Sequence, residues 1–197
     1  MALLKWLGNV KRVFLGGMLV QSAYLYDLLD RFGVPARGDS YRVNPWAHGA
    51  IKLLGRSIAS APFRIYEGDP KKPRDVADHQ IAKLFERPNP TLTRAQVWLA
   101  TVIYLEQCGE CFWLMVGRVG RYAKGEDPYE IWPQDPRWFR PLDELGQEIT
   151  SPMQRPAKWR LVVEGVRPID FEPHELLHFR YFDPANPHRG LPPSEIE

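Results

Sequence analysis

Two cysteines and two histidines are the residues whose types and spacing could do chemistry. Cys108 and Cys111 form a Cys-x-x-Cys pair, and His174 and His178 lie near the end of the chain. In thioredoxin-like proteins the first cysteine begins a helix, where the helix dipole lowers the thiol pKa. Here the pair follows a helical pattern and precedes a strand, so the first thiol would face the wrong end of the dipole. We favour two structural thiols, with redox catalysis as the alternative.

The same four side chains could bind zinc, because thiolate and imidazole are usual zinc ligands. The two pairs are separated by roughly sixty residues, however, where zinc motifs usually have about a dozen or two. The histidines also fall on an apparent strand, where residues four apart share a face but lie too far apart for easy chelation. We therefore expect His178 to be a half-buried sheet residue and keep zinc as an alternative.

No other catalytic arrangement is evident. Gly117-Arg118-Val119-Gly120 lacks the lysine and the strand–loop–helix context of a nucleotide site. No Gly-x-Ser-x-Gly elbow is present. The paired carboxylates of residues 126–127 and 143–144 lie in turn-like contexts that are typical of solvated loops. We therefore expect neither an enzyme nor a cofactor or metal site.

Aromatic and arginine side chains are interleaved in the second half of the chain. Such a surface could stack on single-stranded nucleic acid. A sheet core covered by arginine stems uses the same residue types, and we favour that interpretation. The residues concerned are Trp132, Trp138, Phe139, Trp159, Phe179, Tyr181 and Phe182, with Arg137, Arg140, Arg160 and Arg180.

Helical patterns dominate the first half. Residues 1–32 suggest two helical pieces, and residues 34–41 a linker. Asn44 can cap the next helix, with Pro45 at its first position. A short helix is predicted over His79 to Phe85, and Thr93 can cap another that ends at Gly109. The predicted apolar face of the Asn44-capped helix comprises Trp46, Ala50, Leu53, Leu54, Ile58 and Ala61.

After Gly109 the pattern is that of short strands separated by turns. The fold class is therefore predicted as α+β, with amino-terminal helices flanking a mainly antiparallel sheet. Gly146-Gln147 could turn a hairpin. The candidate strands here are Phe112 to Val116, Tyr129 to Trp132, Trp138 to Arg140, Trp159 to Val163 and Leu176 to Phe182. In the first half, the alternation of Phe63 to Tyr66 predicts one further strand.

The net charge of +2 hides an asymmetry between the two ends of the chain. Residues 1–60 carry eight Lys/Arg and three Asp/Glu, whereas residues 101–197 carry eleven and sixteen. Lys5, Lys11 and Arg12 make the start basic, so that it could meet nucleic acid or an acidic neighbour, although solvated surface charge is the simpler explanation. Apolar residues follow these charges as in a secretory signal, but an apolar stripe also precedes them, which favours an intracellular interfacial helix.

Five motifs in this order resemble the portal proteins of long-tailed bacteriophages and their prophages. The first is Val43-Asn44-Pro45 before a helix that ends in residues 58–66 (IASAPFRIY), and the second is His79 before residues 84–89 (LFERPN). A helix ending in a glycine before an aromatic strand follows at residues 104–113 (YLEQCGECFW). The last two are residues 131–136 (IWPQDP) and the pair 176–180 (LLHFR) and 189–194 (RGLPPS).

The resemblance implies a structural role in the virion, with assembly in the host cytoplasm. Portal proteins form a ring of roughly twelve subunits at one capsid vertex. Duplex DNA passes through the ring during packaging and ejection, and is held non-specifically. The implied partners are other copies of the chain, the packaging terminase, the major capsid protein and the head–tail adaptor, without a membrane. Lys5, Lys11 and Arg12 would then be candidates for contact with DNA or capsid protein.

The chain departs from the portal pattern in its extent. It stops about where family members begin the stem helices of the channel, so the stem, clip and crown are expected to be absent. We expect residues 1–42 to form an arm and linker, and residues 43–197 to form an α+β domain that resembles the portal wing. A stand-alone, portal-derived protein that interferes with phage assembly is the alternative function, and a thiol or zinc protein is a further one.

Overall fold

The computed structural model describes residues 41, 44–69, 74–76 and 79–193, which contain three α-helices and nine strands. The helices are α1 (Pro45–Ser60), α2 (Gln80–Glu86) and α3 (Arg94–Cys108). Two 3₁₀ turns, Pro136–Trp138 and Pro173–Glu175, connect strands. Among the described residues, no helix combines the length and apolar character needed to span a bilayer.

Side-chain caps begin the helices where the sequence predicted them. Asn44 Oδ1 accepts hydrogen bonds from the N–H groups of Trp46 and Ala47, at 3.0 and 3.3 Å. Thr93 and Gln96 form a reciprocal capping box at the start of α3. Gly109 ends α3 in the left-handed conformation, with φ of 73°, and donates its N–H to the carbonyl of Leu105. These local signals fix the helix boundaries.

The strands form two sheets and one small ribbon, and every pairing is antiparallel. In sheet I, the central strand β3 (Glu110–Gly117) pairs with β5 (Glu130–Gln134) on one side. Strand β9 (Leu176–Arg180) and the short β4 (Gly120–Arg121) also pair with β3. Sheet II contains β6 (Phe139–Leu142), β7 (Lys158–Leu161) and β8 (Ile169–Phe171). The ribbon joins β1 (Tyr66–Glu67) to β2 (Arg74–Asp75).

This architecture confirms the α+β class, but it divides the expected single sheet into two. The 3₁₀ turn Pro136–Trp138 separates β5 from β6 and redirects the chain into the second sheet. The predicted strand over Phe63 to Tyr66 is wrong for most of its length, because only Tyr66 pairs, within the ribbon. The sequence analysis missed strand β8, because its three residues, directly after a proline, are too few to show the alternation of apolar and polar residues that predicts a strand.

The two sheets pack face to face, and the helices cover the other side of sheet I. Alternate residues of β3 point to opposite faces. Phe112 and Leu114 join Phe139, Trp159 and other residues in a core between the sheets. Cys111 and Trp113 point the other way, into a core with α2 and α3.

Helix α1 forms the outermost layer of the described fold. It packs on α3, and Gly55 faces Leu99 so closely that a Cβ there would contact the leucine side chain. Helix α3 is fixed in turn to β3, because the indole N–H of Trp113 donates to the hydroxyl of Thr101 at 2.7 Å. The order of layers is therefore α1, α3, sheet I and sheet II.

Replacing Phe112 with alanine is predicted to lower the free energy of unfolding by about 3–5 kcal/mol. The Phe112 ring is fully buried and contacts the rings of Phe139, Trp159 and His178. Urea unfolding measures the effect. Val119→Ala, at an almost fully exposed turn position, is the control and should change stability by less than about 0.5 kcal/mol. Equal effects of the two variants would contradict the inter-sheet core.

Candidate functional site

Cys111 is a buried thiol and Cys108 a half-buried one, and their surroundings activate neither of them. Cys108 is the last residue of α3, and Cys111 lies on β3 with no exposed surface. Both are free cysteines. Burial raises the pKa of Cys108 to about 12 and raises the pKa of Cys111 as well. Since the thiolate is the nucleophile, neither side chain is activated at neutral pH.

The four proposed zinc ligands do not come together. Cys111 points toward the helices, whereas His178 lies on the opposite face of sheet I and stacks on Phe112, with ring centroids 4.1 Å apart. His174 lies in the second 3₁₀ turn, near Tyr122. The described residues contain no cluster of three or more His, Cys, Asp or Glu side chains that could hold a metal ion. The geometry contradicts the zinc hypothesis.

The feature that joins these regions is the carboxylate of Glu110, between the two cysteines. Its side chain is only 2% exposed. Oε2 lies 2.9 Å from Nε2 of His178 and accepts the backbone N–H of Gly190 at 3.3 Å. Oε1 forms an ion pair of 2.7 Å with Nη2 of Arg189. A buried carboxylate is tolerated only with such partners.

Arg189 extends this network from sheet I to sheet II. Its Nη1 donates a hydrogen bond of 3.1 Å to the carbonyl of Phe139, the first residue of β6. Its guanidinium also lies over the ring of Trp159, 5.9 Å from the centroid. One side chain therefore holds the segment after β9 against both sheets. We call Glu110, His178, Arg189 and Gly190 the Glu110 latch.

Two glycines allow the backbone to close around the latch. A Cβ at Gly190 would overlap the carbonyl of Gly109, and a Cβ at Gly109 would overlap the backbone of residues 190–192. Gly109 also needs its positive φ, which L side chains rarely adopt. Its carbonyl accepts the N–H of Tyr181 at 2.8 Å. Gly109, which ends α3, and Gly190 belong to separate sequence motifs but contact each other in the fold.

Glu110 and Arg189 were missed as a pair by the sequence analysis. They are 79 positions apart, and nothing in their local context links them. The available signal was an acidic residue at the start of an otherwise apolar strand, because such a residue needs a cation when buried. The prediction that His178 is a half-buried sheet residue is confirmed, since its side chain is 13% exposed.

The aromatic residues of the second half form core and not a stacking platform. Trp132, Phe139 and Trp159 are buried between the sheets, as the favoured interpretation expected. Tyr181 is half exposed and donates its hydroxyl to Glu106 at 2.7 Å. Within the described ranges, Phe182 alone of the proposed stacking residues is largely exposed. This arrangement does not support single-strand stacking.

An exposed apolar face lies on α1 instead. The residues that α1 buries are Ile51, Gly55 and Ala59, whereas Trp46 is 87% and Leu53 69% exposed. The predicted apolar face of this helix does not face the core, because all six of its residues (Trp46, Ala50, Leu53, Leu54, Ile58 and Ala61) are exposed. Both sides of the helix carry apolar residues, so periodicity alone could not choose the inner one. The remaining candidates, Lys5, Lys11 and Arg12, lie outside the described residues.

A family model described as phage portal protein matches residues 45–196. The solved structures similar to this chain include a chain from the virion of a native gene transfer agent (GTA) particle, with 20% identity and a TM-score of 0.58. That match covers 77% of this chain and 36% of the other. No curated protein sequence matches the chain.

Two further similar chains come from GTA necks. The neck of a native particle with C12 symmetry gives 21% identity and a TM-score of 0.59, over 79% of this chain and 37% of the other. The neck of an empty particle with C6 symmetry gives 20% identity and 0.59, over 77% and 37%. The chain thus spans a little over a third of the length of these relatives, and the likeness shows that the fold is shared.

Replacing Arg189 with methionine is predicted to lower the free energy of unfolding by about 3 kcal/mol, because it leaves a buried carboxylate without its cation. Urea unfolding measures the loss, and limited proteolysis should show earlier cleavage after β9. Arg64→Met is the matched control, since Arg64 and Asp75 form an exposed pair of 3.5 Å. That change should cost no more than about 1 kcal/mol. Similar losses in both variants would contradict the latch.

The two native thiols are predicted to react with Ellman's reagent at pH 8 about a hundredfold more slowly than an exposed cysteine. The reason is the raised pKa of both groups together with their burial. Absorbance at fixed reagent concentration measures the rates, and unfolding in urea should release both thiols. Val119→Cys, at a turn position that is 97% exposed, supplies an exposed reference thiol in the same chain. Rapid reaction of two thiols in the native wild type would show that the pair is accessible.

Proposed function

Since the chain belongs to the phage portal protein family, we propose that it is a structural subunit of a portal ring at the capsid vertex. The family match over residues 45–196 carries this proposal, because it spans the three helices and both sheets of the described residues. The fold shared with chains of GTA virions and necks supports the same role. In this proposal the protein acts through contacts between subunits and with other head proteins.

The Glu110 latch supports a scaffold role. A subunit of a ring must keep its conformation under the forces that its neighbours exert. A buried ion pair with hydrogen bonds to two sheets resists movement of one sheet relative to the other. The latch also fixes the segment that follows β9, which lies at the late end of the family match. The thiols and histidines that could have formed a reactive site are instead fully or partly buried, or contact other side chains of the same fold.

The proposed partners are those of a portal: further copies of the chain, the packaging terminase, the major capsid protein and the head–tail adaptor. Duplex DNA would pass through the complete ring during packaging and ejection without sequence-specific binding. We place assembly in the host cytoplasm and the finished subunit in the virion. Residues 1–42 would form an arm and linker, with Lys5, Lys11 and Arg12 toward DNA or capsid protein. Residues 43–197 would form the wing-like domain.

The mass of the native assembly tests this proposal. Protein isolated with its natural partners is expected to give, by native mass spectrometry, a complex of about twelve copies that retains other head proteins. A monomer without partners at every concentration would contradict the ring. Binding of that monomer to a complete portal from another source would instead support the alternative, a portal-derived protein that interferes with assembly. The Arg189→Met variant is a useful control, because loss of the latch should reduce assembly together with stability.

A further inference from the structure

The exposed side of α1 has the composition of a contact surface. Trp46, Ala50 and Leu53 follow each other at helical spacing on the side away from α3, and Trp46 and Leu53 are 87% and 69% exposed. Lys52 and Arg56 border this apolar strip. Tryptophan and arginine are the residues most enriched among those that dominate binding energy at protein interfaces. We call this set the tryptophan face.

A second surface, beside sheet II, carries the opposite net charge. The connection between β6 and β7 forms a hollow of about 590 Å³ lined by residues that include Asp143, Glu144, Leu145 and Arg155. Leu145 is 84% exposed, and nearby in sequence Met153 is 86% exposed. The hollow thus offers apolar contacts with a net charge of −1, opposite to the +2 of Lys52 and Arg56. We call it the acidic hollow.

The two surfaces belong to the two outermost layers of the described fold. Helix α1 is the outermost layer on one side, and sheet II is the outermost layer on the other, with α3 and sheet I between them. At about 10 Å between adjacent layers, they are separated by roughly 30 Å. They cannot contact each other within one subunit, but each is available to a neighbour.

A closed ring needs this kind of arrangement. Its interface is heterologous, so each subunit must present two different, complementary surfaces to its two neighbours. In a ring of roughly twelve, successive subunits turn by only about 30°, and the two surfaces must therefore lie on nearly opposite sides. An isologous dimer would need one self-complementary surface instead.

We propose that the tryptophan face of each subunit docks into the acidic hollow of the next. This inference rests on the proposed function, because it identifies the contact that closes the proposed ring. Trp46 and Leu53 contact Leu145 and Met153, and the basic border of α1 lies toward Asp143 and Glu144. A second copy of this chain is therefore the occupant of both surfaces.

Disulfide cross-linking tests the pairing. The full chain carrying both Leu53→Cys and Leu145→Cys is oxidised mildly and analysed by non-reducing electrophoresis. A ladder of dimer, trimer and higher bands is expected, because each subunit then links to two neighbours. An internal disulfide is excluded by the separation of the two sites, since bridged Cα atoms lie within about 7 Å. The double variant Leu53→Cys with Val119→Cys, at an exposed turn outside both surfaces, is the matched control and should give no ladder.

A second measurement does not depend on cross-linking. Trp46→Ser should shift the native mass from the ring to the monomer, whereas Val119→Ser, an equally exposed apolar position, should leave the mass unchanged. Circular dichroism verifies that both variants fold. If the Trp46→Ser protein still forms the ring, and the Leu53→Cys/Leu145→Cys protein gives no ladder, this inference is overturned and the proposed function is left intact. If the wild-type protein is a monomer and the double-cysteine protein gives no ladder, both this inference and the proposed function are overturned.

Two other results would also overturn the pairing. Dimers from the single variant Leu53→Cys would show that the tryptophan face contacts itself in an isologous interface. In a monomer, the introduced thiol of Leu53→Cys could react slowly with Ellman's reagent. If deletion of residues 1–40 then made that reaction fast, residues 1–40 would cover the tryptophan face of their own subunit. Rapid reaction in the monomer and protection in the ring are the expected results.

Discussion

The buried carboxylate of Glu110 is the constraint on which the rest of the structure depends. It lies at the start of the central strand of sheet I, where removal from water would be costly without compensation. Its compensation comes from two later parts of the chain, His178 on β9 and the backbone and side chain of residues 189–190. An apolar residue at position 110 would be compatible with several alignments of β9 and residues 189–190 against β3. A carboxylate whose oxygens need fixed partners is compatible with one alignment. We interpret the latch as a device that selects the register of β9 as well as a source of stability.

The latch also explains why unrelated-looking motifs belong together. A glycine that ends a helix, an acidic residue between two cysteines and an arginine–glycine pair far along the chain meet at one point. Each is needed for a physical reason: Gly109 for its positive φ, Gly190 for close backbone approach, and Arg189 for charge. The cysteines of the same motif form none of these contacts: Cys111 is fully buried and Cys108 is half-buried.

Features with local causes could be predicted from the sequence, and features with distant causes could not. Asn44 and Thr93 cap their helices through bonds to residues two or three positions away, so the sequence alone reveals them. The α+β class followed from the change of periodicity at Gly109. The partner of Glu110, by contrast, lies in another part of the fold. The inward side of α1 was also beyond prediction, because Gly55 permits close packing on α3 while larger apolar residues such as Leu53 face outward.

The pairing of β3 with β9 has a consequence for synthesis on the ribosome. Strand β3 has its hairpin partner β4 and its other neighbour β5 within about twenty residues, but β9 begins 59 residues after β3 ends. Long-range pairings of this kind form slowly. A nascent chain that has emerged only to β8 therefore exposes one edge of its central strand, and neighbouring nascent chains on the same messenger RNA could pair with it. Acidic and basic residues on an exposed edge strand disfavour pairing with another chain, and Glu110 lies on this edge of β3, opposite Arg180 of β9.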